Sequence, residues 1–188
     1  MNQESYTVLL VSQDDKVTSQ IKAFLASPMF ELSHTENFYE ASRLSESRQF
    51  DIIIADSNDG YETDFAINIS DTDSTILLLV PSEHFDQITY NVERYGILTI
   101  TKPFEPFYFY NMIKIAIAVQ YKVKALSTQT IKLKSKMEEI RLVNRAKLLL
   151  VEKRGMTEAD AHHYLEKHAM DNGLKRITVA ENVIKEYE

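Results

Sequence analysis

Five short apolar runs punctuate the first half of the chain, at Tyr6–Val11 and residues 29–33, 51–55, 75–80 and 97–100. Between them the apolar positions change period. Val17, Ile21, Phe24 and Leu25 share one helical face, and Phe38, Ala41 and Leu44 share another. Residues 64–69 and 85–94 give two shorter helical patterns. The runs Ile52-Ile53-Ile54 and Ile76-Leu77-Leu78-Leu79 lack strand-like alternation, which fits a parallel sheet covered on both faces. Strand and helix in alternation predict a doubly wound α/β domain with a five-stranded parallel sheet. In such a domain a site forms at the carboxyl ends of the strands, here Ser12 and Gln13, Asp56, Val80 and Lys102.

Beyond Pro106 neither Pro nor Gly occurs before Gly155, and the spacing predicts one helix over 107–153. Met112, Ala116, Val119, Val123, Leu126, Thr130, Leu133, Met137, Ile140 and Asn144 follow one another at intervals of four and three. That is a heptad seam, and it predicts a parallel homodimer through Val119, Val123, Leu126, Leu133, Met137 and Ile140. Polar Thr130 and Asn144 at a positions weaken such a seam but set its register. The alternative for the stretch from Met112 to Val119 is packing against its own domain; beyond Val123 nothing in that domain is expected to cover the helix.

Gly155 is a natural stop for the long helix. Thr157 with Asp160 opens a second helix in the manner of a capping box, and Asn172-Gly173 closes it. Thr178 with Glu181 predicts the start of a short third helix ending near Tyr187. Ala146, Leu149, Leu150, Ala161, Tyr164, Leu165, Ala169, Val179, Ala180 and Val183 supply the faces of a small all-α, three-helix domain. The expected organisation is an α/β domain over 1–119, a coiled-coil linker helix over 120–138 and a helical domain over 139–188.

Composition narrows the class. The 188 residues include no cysteine, so disulfides and thiolate metal sites are excluded. Nothing at the N-terminus reads as a signal peptide, and no apolar run reaches the ~20 residues that span a bilayer; a soluble, cytoplasmic protein without a membrane partner is expected. The net charge of −7 conceals an asymmetry, because residues 1–120 are acidic and residues 121–188 basic. A basic segment attracts polyanions, although Lys-rich helices are also ordinary solvated faces. No nucleophile–base pair, Gly-rich phosphate loop or H-E-x-x-H-like motif is present, so an enzyme is not expected.

From Tyr6 to Val119 the pattern resembles the receiver domain of bacterial response regulators, a flavodoxin-like fold. The residues that carry the likeness are Asp56, closing D-I-I-I-A-D, and Lys102-Pro103-Phe104. The resemblance implies that Asp56 is the candidate phosphoacceptor and Lys102 its partner. It also implies an acidic pair that holds Mg²⁺, and a hydroxyl after strand four. Here Ser12 and Gln13 stand at the acidic pair, Val80 at the hydroxyl position and Thr99 at a position that is often aromatic. The loop Ser57-Asn58-Asp59-Gly60 lacks the usual Met-Pro. Asp14 reads either as a displaced metal ligand or as a helix cap, and Asp56–Lys102 either as a phosphorylation site or as a buried structural pair. At most a weak Mg²⁺ site at Asp14 and Asp56 is expected, with no other cofactor or metal. Input is expected through protein contact, from a sensor kinase or another signalling protein, or through a small molecule.

Over 139–184 the chain resembles the ANTAR domain, an RNA-binding output module of transcription antiterminators. Arg145-Ala146-Lys147, Gly155-Met156-Thr157-Glu158-Ala159-Asp160-Ala161, Tyr164-Leu165, His168-Ala169-Met170, Asn172 and Val179-Ala180 carry the likeness. Leu148 stands where that family usually has Gly, and Glu166 where it often has a basic residue. The resemblance implies binding to tandem hairpins in nascent leader transcripts, which precludes a terminator. Lys147 is the leading contact candidate, with Arg145, Lys153, Arg154, Lys167, His168, Lys175 and Arg176 around it. Tyr164 reads as core or as a base-stacking ring. The competing class is a signalling adaptor whose basic helices bind a protein.

Overall fold

The computed structural model describes residues 5–58 and 62–187. Residues Asp59 and Gly60 of the loop after Asp56 lie outside the described residues. The chain forms two compact units, Met1–Ser127 and Thr128–Glu188.

In the first unit β1 (Tyr6–Val11), α1 (Asp15–Phe24), β2 (Phe30–Thr35), α2 (Phe38–Ser47), β3 (Ile52–Asp56), α3 (Glu62–Asn68), β4 (Thr75–Pro81), α4 (Phe85–Val92) and β5 (Leu98–Lys102) alternate. Single 3₁₀ turns at Ser82–His84 and Glu93–Tyr95 flank α4. The sheet is parallel throughout, in the order β2-β1-β3-β4-β5. Side chains on a strand alternate between faces, so each strand feeds two cores. Leu9, Val11, Ile53, Ala55, Leu78 and Val80 pack with Ala41, Phe65, Ala66, Ile88 and Val92. Val8, Leu10, Ile52, Ile54, Leu77, Leu79 and Ile100 pack with Ile21, Phe109, Ile113 and Ala116. Burial on both faces is the physical reason that the central strands are apolar without interruption.

The helix that follows, α5 (Pro106–Arg154), runs through both units. In the first unit it buries Phe109, Ile113, Ala116 and Gln120, spaced four, three and four apart. The Gln120 side chain accepts a 2.9 Å hydrogen bond from the Thr75 hydroxyl and donates a 3.0 Å bond to the Asp73 carbonyl. Lys124 pairs with Asp51 at 2.6 Å, and the Ser127 hydroxyl donates to Asp73 Oδ2 at 2.9 Å. The expectation that nothing covers the helix beyond Val123 is therefore corrected. Polar ties at the amino ends of β3 and β4 hold α5 for one turn more, and hydrophobic periodicity carries no signal for them.

The second unit is the C-terminal part of α5 with α6 (Glu158–Asp171) and α7 (Arg176–Tyr187). Gly155 and Gly173 adopt φ of 66° and 61°, the left-handed conformation that ends a helix at little cost only for glycine. Thr157 caps α6 by accepting from the Asp160 backbone N–H at 3.1 Å. The third helix begins at Arg176, two residues before the expected Thr178, because the Thr178 N–H donates to the Lys175 carbonyl. Val143, Ala146, Leu150, Ala161, Leu165, Val179, Ala180 and Val183 form its core, with Tyr164 and Tyr187 partly buried against it. No helix among the described residues is long and apolar enough to cross a membrane.

Candidate functional site

At the carboxyl ends of the strands, β3 ends on Asp56, whose carboxylate is fully buried. Ser12 follows β1 directly, is buried, and donates its hydroxyl to Asp56 Oδ2 at 2.8 Å. Lys102 closes β5 and donates from Nζ to Asp56 Oδ1 and, at 3.1 Å, to Asn58 Oδ1. A hydroxyl and an ammonium thus meet both carboxylate oxygens, and the burial of the charge is compensated from within the chain.

Asp14 is the N-cap of α1, and its Oδ1 accepts from the backbone N–H of Lys16 at 2.7 Å and of Val17 at 3.2 Å. Those backbone bonds, first that of Val17, hold its carboxyl below the usual carboxylate range. Gln13 turns aside and donates to the Glu36 carbonyl at 3.2 Å. The residues do not fit the Mg²⁺ that the receiver fold implies. The acidic pair is a serine and a glutamine, Asp14 is engaged as a cap, and both oxygens of Asp56 are met by donors. Among the described residues no group of three His, Cys, Asp or Glu side chains is placed to hold a metal. At the β4 position Val80 is fully buried and brings no hydroxyl. Thr99, on β5, makes a 2.9 Å hydroxyl–hydroxyl bond with Thr89 on α4, joining strand and helix.

In the second unit the cations expected to meet a polyanion differ in their engagement. Lys147 lies largely covered and pairs with Glu158 at 2.9 Å across the turn between α5 and α6. Arg154 donates to the Tyr187 hydroxyl, to the Tyr164 hydroxyl at 3.2 Å and to Glu186 at 3.0 Å. Its guanidinium also lies over the Tyr164 and Tyr187 rings, 5.2 and 5.5 Å from their centroids. The bond to Tyr187, followed by that to Glu186, raises its pKa further above the ordinary arginine value. Arg176 reaches Glu139 at 3.4 Å and Glu166 at 3.8 Å, and Lys153 pairs with its neighbour Glu152. His168 packs its ring on Tyr164, with centroids 4.1 Å apart. Lys167 and Lys175 are exposed with no ion-pair partner among the described residues, and Arg145 stands exposed on α5.

Tyr164 therefore serves the core and the Arg154 clamp together. Sequence reasoning missed Tyr187, Glu186 and Glu158 as partners of the cations. The i to i+11 separation of Lys147 and Glu158 becomes legible only once a helical hairpin brings them together.

The comparisons agree with this architecture. Residues 132–184 match the ANTAR domain model. The first unit has the fold of receiver domains. The signal receiver domain of an HD domain-containing protein from Pseudomonas fluorescens Pf-5 superposes with a TM-score of 0.58 at 17% identity, over 64% of this chain and 93% of that one. A putative response regulator from Chloroflexus aurantiacus J-10-fl gives 0.53 at 21% identity, over 61% and 99%. The chain thus joins an N-terminal domain with the receiver fold to a C-terminal segment that matches the ANTAR domain. It is similar to the transcriptional regulatory protein PdtaR of Mycobacterium tuberculosis, 29% identical over 150 residues that cover 78% of this chain and 73% of that protein. An ANTAR domain implies RNA as the partner class.

Proposed function

We propose that this chain is a transcription antitermination regulator that binds tandem hairpins in nascent leader RNA through its C-terminal module. The observation that carries the reading is the ANTAR match over 132–184, in a segment whose cations outnumber its acids although the whole chain is acidic. RNA loops are recognised through backbone charge, shape and unstacked bases. Arg145, Lys167 and Lys175 offer exposed charge, while Lys147 reaches RNA by exchanging Glu158 for a phosphate. Lys153, His168 and, with their remaining exposed surface, Arg154 and Arg176 border this contact.

The active form in this reading is a parallel homodimer along α5. Its support is the exposure of Leu133, Met137 and Ile140, at 64%, 70% and 52%, on one face of the helix. The receiver-like domain takes its input by contact with another signalling protein, because its Asp56 pocket is built without the acids that a Mg²⁺-dependent phosphoryl transfer uses.

The test is an anisotropy titration of the full chain with a tandem-hairpin RNA, set against unstructured RNA and duplex DNA of equal charge. Preference for the hairpins is the expected outcome. Equal binding to all three reduces the module to a general polyanion surface. Binding to none favours the adaptor reading, with a protein as partner.

A further inference from the structure

The exposed stripe on α5 has an unusual border. With Thr130, Met137 and Asn144 at a positions and Leu133 and Ile140 at d, the flanking e and g positions hold Lys134, Lys136 and Arg141, with Gln129 and the buried Val143 as the other g residues. No acid flanks the seam over 128–143. The two acids of this stretch, Glu138 and Glu139, stand at b and c. There Glu138 holds Arg141 at 2.7 Å on its own helix, and Glu139 meets Arg176. Lys134 and Lys136 are exposed and have no ion-pair partner among the described residues.

In a parallel pair the g residue of one chain faces the following e residue of the other. Lys136 then meets the second copy's Arg141, and Gln129 meets its Lys134. Two-stranded seams ordinarily place opposite charges there; here every charge that flanks the seam is positive. The apolar stripe favours pairing while the flanks oppose it, as like charges in proximity do. Pairing also brings the two rows of cations together along the same turns, and so concentrates positive charge beside the RNA-binding module of the same unit.

We propose that the paired α5 helices form a second RNA-backbone contact along Lys134, Lys136 and Arg141, so that dimerisation and RNA binding are coupled. The inference rests on the RNA and dimer readings above and deepens them. Phosphates between the cation rows remove the repulsion that weakens the free dimer. By linkage, whatever factor RNA contributes to dimerisation the dimer returns to RNA affinity. The contact requires no base readout, which suits a strand that approaches a hairpin or leaves it. Lys132, at a c position, faces away from the seam and adds only general charge.

The experiment measures the dimer constant of the full chain by analytical ultracentrifugation, without RNA at low and high salt and then with the tandem-hairpin RNA. Going from about 0.1 to 1 M salt shortens the Debye length from about 10 to 3 Å, and the RNA-free dimer should tighten by about threefold to tenfold. The RNA should tighten it at low salt by a similar factor or more. The variant carrying Lys134→Gln and Lys136→Gln keeps the apolar seam and good helix formers. It should dimerise more tightly than the parent at low salt, respond weakly to salt and show little of the RNA effect. Its RNA affinity should also have a salt slope lower by about 0.7 for every phosphate that is no longer neutralised. Identical dimer constants for parent and variant under all three conditions overturn the proposal. So does poly-glutamate that tightens the dimer as well as RNA does. A dimer that survives Leu133→Asp, or a chain that binds no RNA, overturns it at a different step, by removing the seam or the ligand on which it rests.

Discussion

Ser12 donates its hydroxyl to Asp56 at 2.8 Å, inside the pocket where the receiver fold would carry an acid. With Lys102 on the other oxygen, the carboxylate is satisfied without a cation from solvent. Incubation with Mg²⁺ and acetyl phosphate, or with its beryllofluoride mimic, should therefore leave little stable adduct on Asp56. Changing Ser12→Asp and Gln13→Asp should raise Mg²⁺ affinity at least about tenfold, measured by NMR shift titration, because it restores carboxylate ligands beside Asp56. Stoichiometric modification of the unaltered chain, abolished in Asp56→Asn, would restore an ordinary phosphorelay.

Asp51 ties α5 to the sheet through Lys124 and also accepts from the Thr7 backbone N–H at 2.9 Å. Burial pushes its carboxyl pKa up, but the bonds from Lys124 and Thr7 outweigh burial and leave the pKa below the ordinary value. A carboxyl with a depressed folded-state pKa contributes stability that is complete above its unfolded value, near 3.9, and is lost as pH falls through the folded value. Acid unfolding of the first unit should thus draw in part on Asp51. Asp51→Asn should flatten the stability profile below about pH 4 while costing about 1 kcal/mol at neutral pH. An unchanged acid limb in urea titrations would assign that limb to other groups.

Arg154 holds Tyr164, Tyr187 and Glu186 around one guanidinium and so joins the ends of α5 and α7 to α6. Arg154→Ala should lower the thermal midpoint of the second unit, read from helical ellipticity. Arg154→Lys should recover little of the loss, since an ammonium cannot match the planar fork or stack on both rings. A midpoint unmoved by either change would leave Arg154 as a surface cation only.

Lys147 and Glu158 form a pair that RNA would have to open in the proposed function, and the Lys147 bond holds the Glu158 carboxyl below its usual range. Lys147→Ala should weaken hairpin binding and lower its salt slope by roughly 0.7–0.9, with helical content retained. Glu158→Gln should act in the opposite direction by freeing the ammonium and removing a negative charge. If both variants bind like the parent, the RNA-binding surface shifts to Lys167 and Lys175.

Leu133 and Met137 are exposed on neighbouring turns of α5. Leu133→Asp with Met137→Asp should give a monomer by sedimentation, because each places a charge in the seam. An unaltered chain that stays monomeric in free and RNA-bound forms at about 100 μM would remove the dimer from the mechanism.

Period and punctuation in the chain determined most of the architecture. Apolar runs at 52–54 and 76–79 fitted strands covered on both faces, and the absence of Pro and Gly from 107 to 154 predicted α5. Gly155, Thr157 and Gly173 marked the helix ends from local backbone chemistry. The altered receiver pocket was also legible, since Ser12, Gln13 and Val80 are departures visible without coordinates. Tertiary structure alone decided the partners. Gln120 reads in sequence as one more polar residue on a helix, yet it is buried between Thr75 and Asp73. Lys147 and Arg154 both read as cations for a polyanion, Lys147 foremost, and the packing of α5, α6 and α7 makes Arg154 a clamp and Lys147 half of an ion pair. Helical and strand periods record which face turns inward because burial repeats along the chain. Hydrogen bonds and ion pairs join residues 11 to 54 positions apart at single points, and only folding brings those points together.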